Sequence, residues 1–191
     1  MKTAWVLMFM VGFFYVRPAT ADNWDINQLM HGLSQNQGGR ATFVEKKFLA
    51  VLDAPVESSG DLLYRAPDHL EKITRRPKLE SLILDRDVLT IVRGSRTHTL
   101  SLRNYPEIDA VVGSIRGTLA GDRALLEQTY RLSLEGDETR WILTLTPVER
   151  EVVAVVQKIR MYGAGGAVKS IEMLQADGDR SVMSIEIVKT P

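Results

Sequence analysis

The chain of 191 residues contains no cysteine. Disulfide bonds, thiol catalysis, thiolate metal sites and a lipid-modified N-terminal cysteine are therefore excluded. The lack of thiols is also compatible with an oxidising compartment, although it does not identify one.

An excess of charge of either sign is also missing, because 24 Lys and Arg residues balance 24 Asp and Glu residues. A nucleic-acid-binding protein of this size usually carries a basic stripe. The composition therefore predicts no nucleic-acid partner.

Catalytic and metal-binding patterns are lacking as well. The three histidines, His31, His69 and His98, lie far apart and none belongs to a His-Glu-x-x-His pattern. No Gly-x-Ser-x-Gly elbow occurs. Residues 163–166 are rich in glycine, but no glycine directly precedes Lys169 and both flanks predict strands, so a hairpin turn is expected there instead of a phosphate loop. We expect no enzymatic activity, no cofactor and no metal.

Long apolar runs are scarce, and the clearest one, residues 4–16, lies at the N-terminus. Lys2 precedes it and the small residues 19–21 follow it, which is the pattern of a secretory signal peptide. The sequence predicts that residues 1–21 are cleaved and that residues 22–191 form a single exported, soluble domain. An uncleaved membrane anchor is the alternative, and it is disfavoured because Arg17 ends the run well short of the ~20 residues that a span needs.

Two segments have helical periodicity. The first lies just after the signal, with Ile26, Leu29, Met30 and Leu33 on one face and Asn23 or Asp25 available as the N-cap. The second begins at Pro106 and continues to about residue 119, with acidic residues in its first turn. A further short helix is expected after Asp122. The apolar stripe of the second helix comprises Ile108, Val111, Val112, Ile115 and Leu119.

Most of the remaining sequence alternates between apolar and polar residues in short runs separated by Pro, Gly and Asp turns. This pattern predicts about ten antiparallel strands with one dry and one wet face. A sheet of that size curls, and the helices must cover its dry concave face. The pattern leaves open whether that face is a filled core or a ligand cavity. The apolar positions concerned are Leu70, Leu82, Leu84, Leu89, Ile91, Trp141, Leu143, Leu145, Ile159, Met161, Ile171 and Met173.

Five segments in a fixed order carry a family resemblance. They are Arg-Ala-Thr-Phe-Val-Glu-Lys-Lys at 40–47, Ser-Gly-Asp-Leu-Leu-Tyr-Arg-Ala-Pro at 59–67, the Pro-bounded strand at 70–77, the strand-turn-strand at 82–89, and Trp-Ile-Leu-Thr-Leu-Thr-Pro at 141–147. In order and spacing they resemble the LolA-like family of periplasmic lipoprotein carriers. The resemblance spans the whole chain after the signal.

The resemblance implies a mainly β (α+β) fold, an incomplete and strongly curved antiparallel β-barrel covered by short helices. In that fold the helices form a lid over a hydrophobic cavity. The twelve apolar positions given above would then line the cavity, and the stripe from Ile108 to Leu119 would form the lid. Arg65 and Lys72 either face an anionic or carbonyl-bearing head group or lie on the wet face.

The function that the resemblance implies is that of a monomeric periplasmic carrier. It would shuttle the acyl chains of a lipoprotein, or a related acylated lipid, from the inner to the outer membrane. Its partners would be a releasing transporter in the inner membrane and a receptor in the outer membrane. The alternative is a periplasmic sensory or structural domain that binds a lipid or peptide without transporting it.

Overall fold

The structure is a computed structural model that describes residues 24–188. The predicted signal peptide and its cleavage site lie outside the described residues. Among residues 24–188, no helix has both the length and the apolar character needed to cross a membrane.

The described residues form eleven strands in one antiparallel sheet, in the order β6-β5-β4-β3-β2-β1-β11-β10-β9-β8-β7. Within that range β6 and β7 each pair on one side only, so the barrel is not closed. The prediction of a mainly β, incomplete antiparallel barrel is confirmed. The strands are β1 (Gly38–Phe48), β2 (Val56–Arg65), β3 (His69–Arg76), β4 (Glu80–Asp85), β5 (Val88–Arg93), β6 (Arg96–Ser101), β7 (Tyr130–Asp137), β8 (Arg140–Pro147), β9 (Val156–Ala164), β10 (Ala167–Gln175) and β11 (Arg180–Ile187).

Within residues 24–188, four short α-helices accompany the sheet: α1 (Ile26–Ser34), α2 (Pro106–Ala120), α3 (Arg123–Thr129) and α4 (Arg150–Val153). The predicted start of α1 is confirmed, because the Asp25 carboxylate caps the helix and Gln28 completes a capping box. The run over residues 152–162 predicts a long strand from sequence, and that prediction is wrong at its start. Val152 belongs to α4 and is buried, and β9 begins at Val156. An apolar run alone does not distinguish a helical turn from a strand.

Helix α2 has its predicted position, but its most buried residues are small ones: Ser114, Gly117 and Thr118. A Cβ added at Gly117 would lie 2.9 Å from the Leu126 side chain of α3, so the two helices pack closely there. The hydroxyl groups of Ser114 and Thr118 donate to carbonyl oxygens within α2, each at 2.7 Å. The most buried face of α2 therefore consists of small and polar residues and differs from the predicted apolar stripe.

The hydrophobic core lies between strands β7–β10 and helices α1, α3 and α4. Trp141 is fully buried at its centre, and its indole nitrogen donates to the carbonyl oxygen of Gly165 at 2.8 Å. This hydrogen bond ties β8 to the β9–β10 hairpin turn, which is where the glycine-rich segment was predicted to turn. The other half of the concave face, on β1–β6, is less completely filled.

Candidate functional site

A cavity of about 430 Å³ lies between the concave face of the sheet and helix α2. Strands β1–β4, β10 and β11 form its walls, and Ile115 and Leu119 of α2 line it from the other side. Its volume falls in the range of about 300–1,000 Å³ that is usual for small-ligand sites. The lining is mainly apolar and includes Ala41, Leu62, Leu70, Leu82, Val168, Ile171, Met173, Met183, Ile185 and Ile187.

The strand register explains why these residues meet. Ala41 of β1 lies opposite Leu62 of β2, Leu62 lies opposite Lys72 of β3, and Lys72 lies opposite Leu82 of β4. Directly opposed residues of antiparallel strands place their side chains on the same face. One continuous row of side chains therefore crosses the sheet along the cavity.

All twelve predicted cavity residues occupy concave-face register positions, but the structure separates them into three groups. Four line the cavity: Leu70, Leu82, Ile171 and Met173. Five do not, because helices cover that half of the sheet and bury them in the core: Trp141, Leu143, Leu145, Ile159 and Met161. Three lie on β4 and β5 outside the cavity lining: Leu84, Leu89 and Ile91.

The predicted stripe of α2 is divided in the same way. Ile115 and Leu119 line the cavity and also pack against the core, as Val111 does. Ile108 and Val112 neither line the cavity nor pack against the core. The part of α2 that covers the cavity is therefore its C-terminal half.

Several cavity residues were missed from sequence, among them Glu45, Tyr64, Met183 and Ile185. The alternating Met183 and Ile185 had a detectable signal, because they form the dry face of the last strand. Glu45 had none, because an acidic residue in a strand normally predicts a solvent-exposed position. Here it is only 6 % exposed.

The buried Glu45 is paired with Lys72. The Lys72 Nζ lies 2.6 Å from the Glu45 Oε2 and 4.8 Å from the centroid of the Phe43 ring. To reach them the lysine side chain extends from β3 across β2, where Gly60, opposite Phe43, contributes no side chain. A Cβ at Gly60 would overlap the carbonyl oxygen of Ile73, so the backbone itself requires glycine there. Lys72 thus places a cation, already matched by a carboxylate, inside an apolar cavity.

Tyr64 is a second polar group on the cavity wall. Its side chain is buried, and its hydroxyl has no hydrogen-bond partner among the described residues. Burial, and then the nearby Asp68 carboxylate, raise the pKa of Tyr64 above its usual value, so the hydroxyl keeps its proton. Arg65, the next residue along β2, is exposed and does not line the cavity. Of the two predicted polar contacts, only Lys72 is at the site.

Among residues 24–188, no cluster of three or more metal-ligating side chains is present. The cavity can enclose an apolar chain and can offer hydrogen-bond donors from Lys72. Its geometry is suited to binding.

A family model described as "Outer membrane lipoprotein carrier protein LolA-like" matches residues 18–185. Solved structures similar to the chain include a LolA superfamily protein from Nitrosomonas europaea, at 14% identity and a TM-score of 0.47, covering 87% of this chain and 93% of that one. The Pseudomonas aeruginosa MucA/MucB complex matches at 14% identity and a TM-score of 0.49, covering 87% of this chain and 56% of that one. LprF from Mycobacterium bovis matches at 10% identity and a TM-score of 0.36, with coverages of 87% and 95%. A comparison with curated proteins finds no match.

Proposed function

The chain belongs to the LolA-like family of outer membrane lipoprotein carrier proteins, and from this membership we propose that it is a periplasmic carrier of acyl chains. It holds the chains of a lipoprotein, or of a related acylated lipid, in the cavity under α2 and moves them between the inner and outer membranes. It does so as a secreted single domain that begins at Asp22, without catalysing a reaction.

The observation that supports this proposal is the apolar cavity of about 430 Å³ beneath α2. In most folds of this size the concave face of a sheet is filled by side chains, because interiors are close-packed. Here helices α1, α3 and α4 fill only the half above β7–β10. The space left over β1–β4 and β10–β11 is lined by aliphatic side chains and methionines, and methionine adapts well to changing occupants.

Energetics require a way to release such a ligand. Burying a methylene contributes about 0.8 kcal/mol, so a chain of about sixteen carbons represents on the order of 12 kcal/mol before ordering costs. Spontaneous release into water would be very slow. We propose that α2 acts as a lid whose Ile115 and Leu119 occupy the cavity mouth when the carrier is empty. Partner proteins at each membrane would then load and unload it.

The first test is whether the cavity binds acyl chains. Lipid extracted from protein purified from its periplasm should contain acyl lipid by mass spectrometry, and the empty protein should bind a fluorescent fatty acid ester. Leu82→Trp should strongly weaken that binding, because the larger indole side chain would occupy space in the cavity. Ile83→Trp is the matched control, because Ile83 is the next residue of β4 and faces the other side of the sheet. Equal binding by both variants would show that this cavity is not the acyl-binding site.

The second test separates transport from binding. Loaded protein mixed with inner-membrane and outer-membrane vesicles should transfer its cargo to the outer-membrane vesicles alone. Cargo that stays on the protein in both mixtures would instead support the non-transporting sensory or structural domain. N-terminal sequencing of the periplasmic protein should begin at Asp22, and a protein that begins at Met1 in the membrane pellet would contradict export as a soluble carrier.

A further inference from the structure

We infer that Glu45 and Lys72 make the cavity selective for uncharged acyl esters over free fatty acids. In this arrangement the ester carbonyl oxygen accepts a hydrogen bond from the Lys72 ammonium, and the Glu45 carboxylate excludes a second carboxylate. The inference rests on the proposed function and narrows the ligand class of the same cavity.

The Lys72 ammonium has hydrogen-bonding capacity to spare. A lysine ammonium has three N–H donors. Among residues 24–188, Lys72 makes one hydrogen bond, to the Glu45 Oε2 at 2.6 Å, which leaves two donors unused. The face of the Phe43 ring attracts the cation but accepts no conventional hydrogen bond. The Lys72 side chain keeps 22% of its surface accessible and lines the cavity. A carbonyl oxygen entering the cavity would therefore find an unmatched donor.

The positive charge of Lys72 is already balanced by Glu45, although two of its hydrogen-bond donors are unused. Glu45 keeps only 7% of its side chain accessible, and its carboxylate lies against the ammonium. A free carboxylate would have to compete with Glu45 for the same cation and would be repelled by it. Lys47 lies 3.9 Å from the other Glu45 oxygen, but half of its side chain is exposed, so water screens its charge. A neutral oxygen acceptor fits this site, and an anion does not.

Three ligands measure this selectivity: a fluorescent long-chain fatty acid, its methyl ester, and the hydrocarbon dye diphenylhexatriene. They are titrated at pH 8, where the fatty acid is ionised. The wild-type protein should bind the ester at least about ten-fold more tightly than the acid, because burying a charge without a free partner is strongly unfavourable. The hydrocarbon shows whether the cavity itself is intact.

Glu45→Gln supplies the decisive variant, because it leaves the Lys72 charge unbalanced. Its affinity for the fatty acid should increase by about ten-fold or more, whereas ester binding should hardly change. Loss of folded structure cannot produce such a gain. Glu57→Gln is the matched control, because Glu57 pairs with Lys46 at 3.0 Å and is 58% exposed. It should leave both affinities unchanged.

Two results would overturn the inference: a wild-type protein that prefers the fatty acid, and a Glu45→Gln protein that binds the hydrocarbon normally but keeps the wild-type ratio. If Glu45→Gln does not bind the hydrocarbon, the double variant Glu45→Gln with Lys72→Met decides the question. This double variant lacks both charges, so it should bind the ester no more tightly than the hydrocarbon. Tighter binding of the ester than of the hydrocarbon would show that Lys72 does not supply the contact and would overturn the inference. A wild-type protein that binds no hydrocarbon would refute the proposed function itself.

Discussion

Replacing Ile115 and Leu119 with serine tests whether α2 is a lid or a fixed wall of the cavity. Both side chains line the cavity and are half-buried. A fully buried side chain of this kind contributes about 1.5–3 kcal/mol, so each contributes about 1 kcal/mol to the closed state here. The double substitution therefore removes about 2 kcal/mol of closure. Since about 1.4 kcal/mol corresponds to a factor of ten, the ratio of open to closed protein should increase by roughly 30-fold.

The two models predict effects of opposite sign. If α2 must move aside before the ligand enters, a larger open fraction increases the apparent affinity for a fluorescent acyl ester, up to that same factor. If α2 is a wall, the loss of two apolar contacts weakens binding. Fluorescence titration measures the affinity, and hydrogen exchange of the α2 amides in the empty protein measures opening.

Ile108→Ser with Val112→Ser is the matched control, because these residues lie on the same helix but neither line the cavity nor pack against the core. This pair should leave both the ester affinity and the hydrogen exchange of the C-terminal half of α2 close to wild type. Weaker ester binding by the Ile115 and Leu119 variant, with a single cooperative urea transition that shows it to be folded, would refute the lid. Equal effects of the two pairs would refute it as well.

Three further predictions concern stability. Tyr64→Phe removes a buried hydroxyl that lacks a partner among the described residues and should raise the free energy of unfolding in urea by about 1 kcal/mol. Tyr162→Phe removes a 3.0 Å hydrogen bond to Glu172 and should lower that free energy by about 1 kcal/mol. Equal changes in the two variants would contradict the unpaired state of the Tyr64 hydroxyl. Burial raises the pKa of Tyr130 to about 12 from an ordinary value of 10.0. Because the unfolded chain loses that proton first, the contribution of Tyr130 to stability should be constant below about pH 10 and decline towards pH 12, and a decline of the same size in Tyr130→Phe would show that other groups cause it. Gly163→Ala would place a methyl group against a neighbouring indole ring and should cost about 2 kcal/mol, unlike Gly39→Ala, where the space is open; equal stability of the two would count against the packing described.

The sequence was most informative where its periodicity is strict. The strand period of two placed Leu82 and Leu143 alike on the concave face, because alternation decides the face of a residue without reference to the rest of the fold. It could not decide which of them faces a ligand. Leu143 lies under helices and Leu82 lies beside the cavity, and that difference depends on where the helices rest on the sheet.

The same limit applies to the polar residues of the site. Lys72 was identified as one of two candidates, but its partner Glu45 lies 27 residues away in sequence and on a different strand. Their proximity results from the register of β1, β2 and β3, together with a glycine that leaves the space between them open. Local patterns carry no information about such pairs. The balance of the Lys72 charge by Glu45 is therefore evident only in the folded chain.

The connection between β6 and β7 contains helix α2, which in the proposed carrier competes with cargo for the cavity mouth. These strands are the two free edges of the described sheet, and helices α2 and α3 lie in the segment that joins them. A covering element attached at both ends has a fixed effective concentration, of millimolar order for short tethers, whatever the concentration of the protein. In the proposed carrier, refilling of the cavity mouth by α2 is therefore independent of dilution. The same helix supplied as a separate peptide would have to be present at millimolar levels to displace cargo equally well.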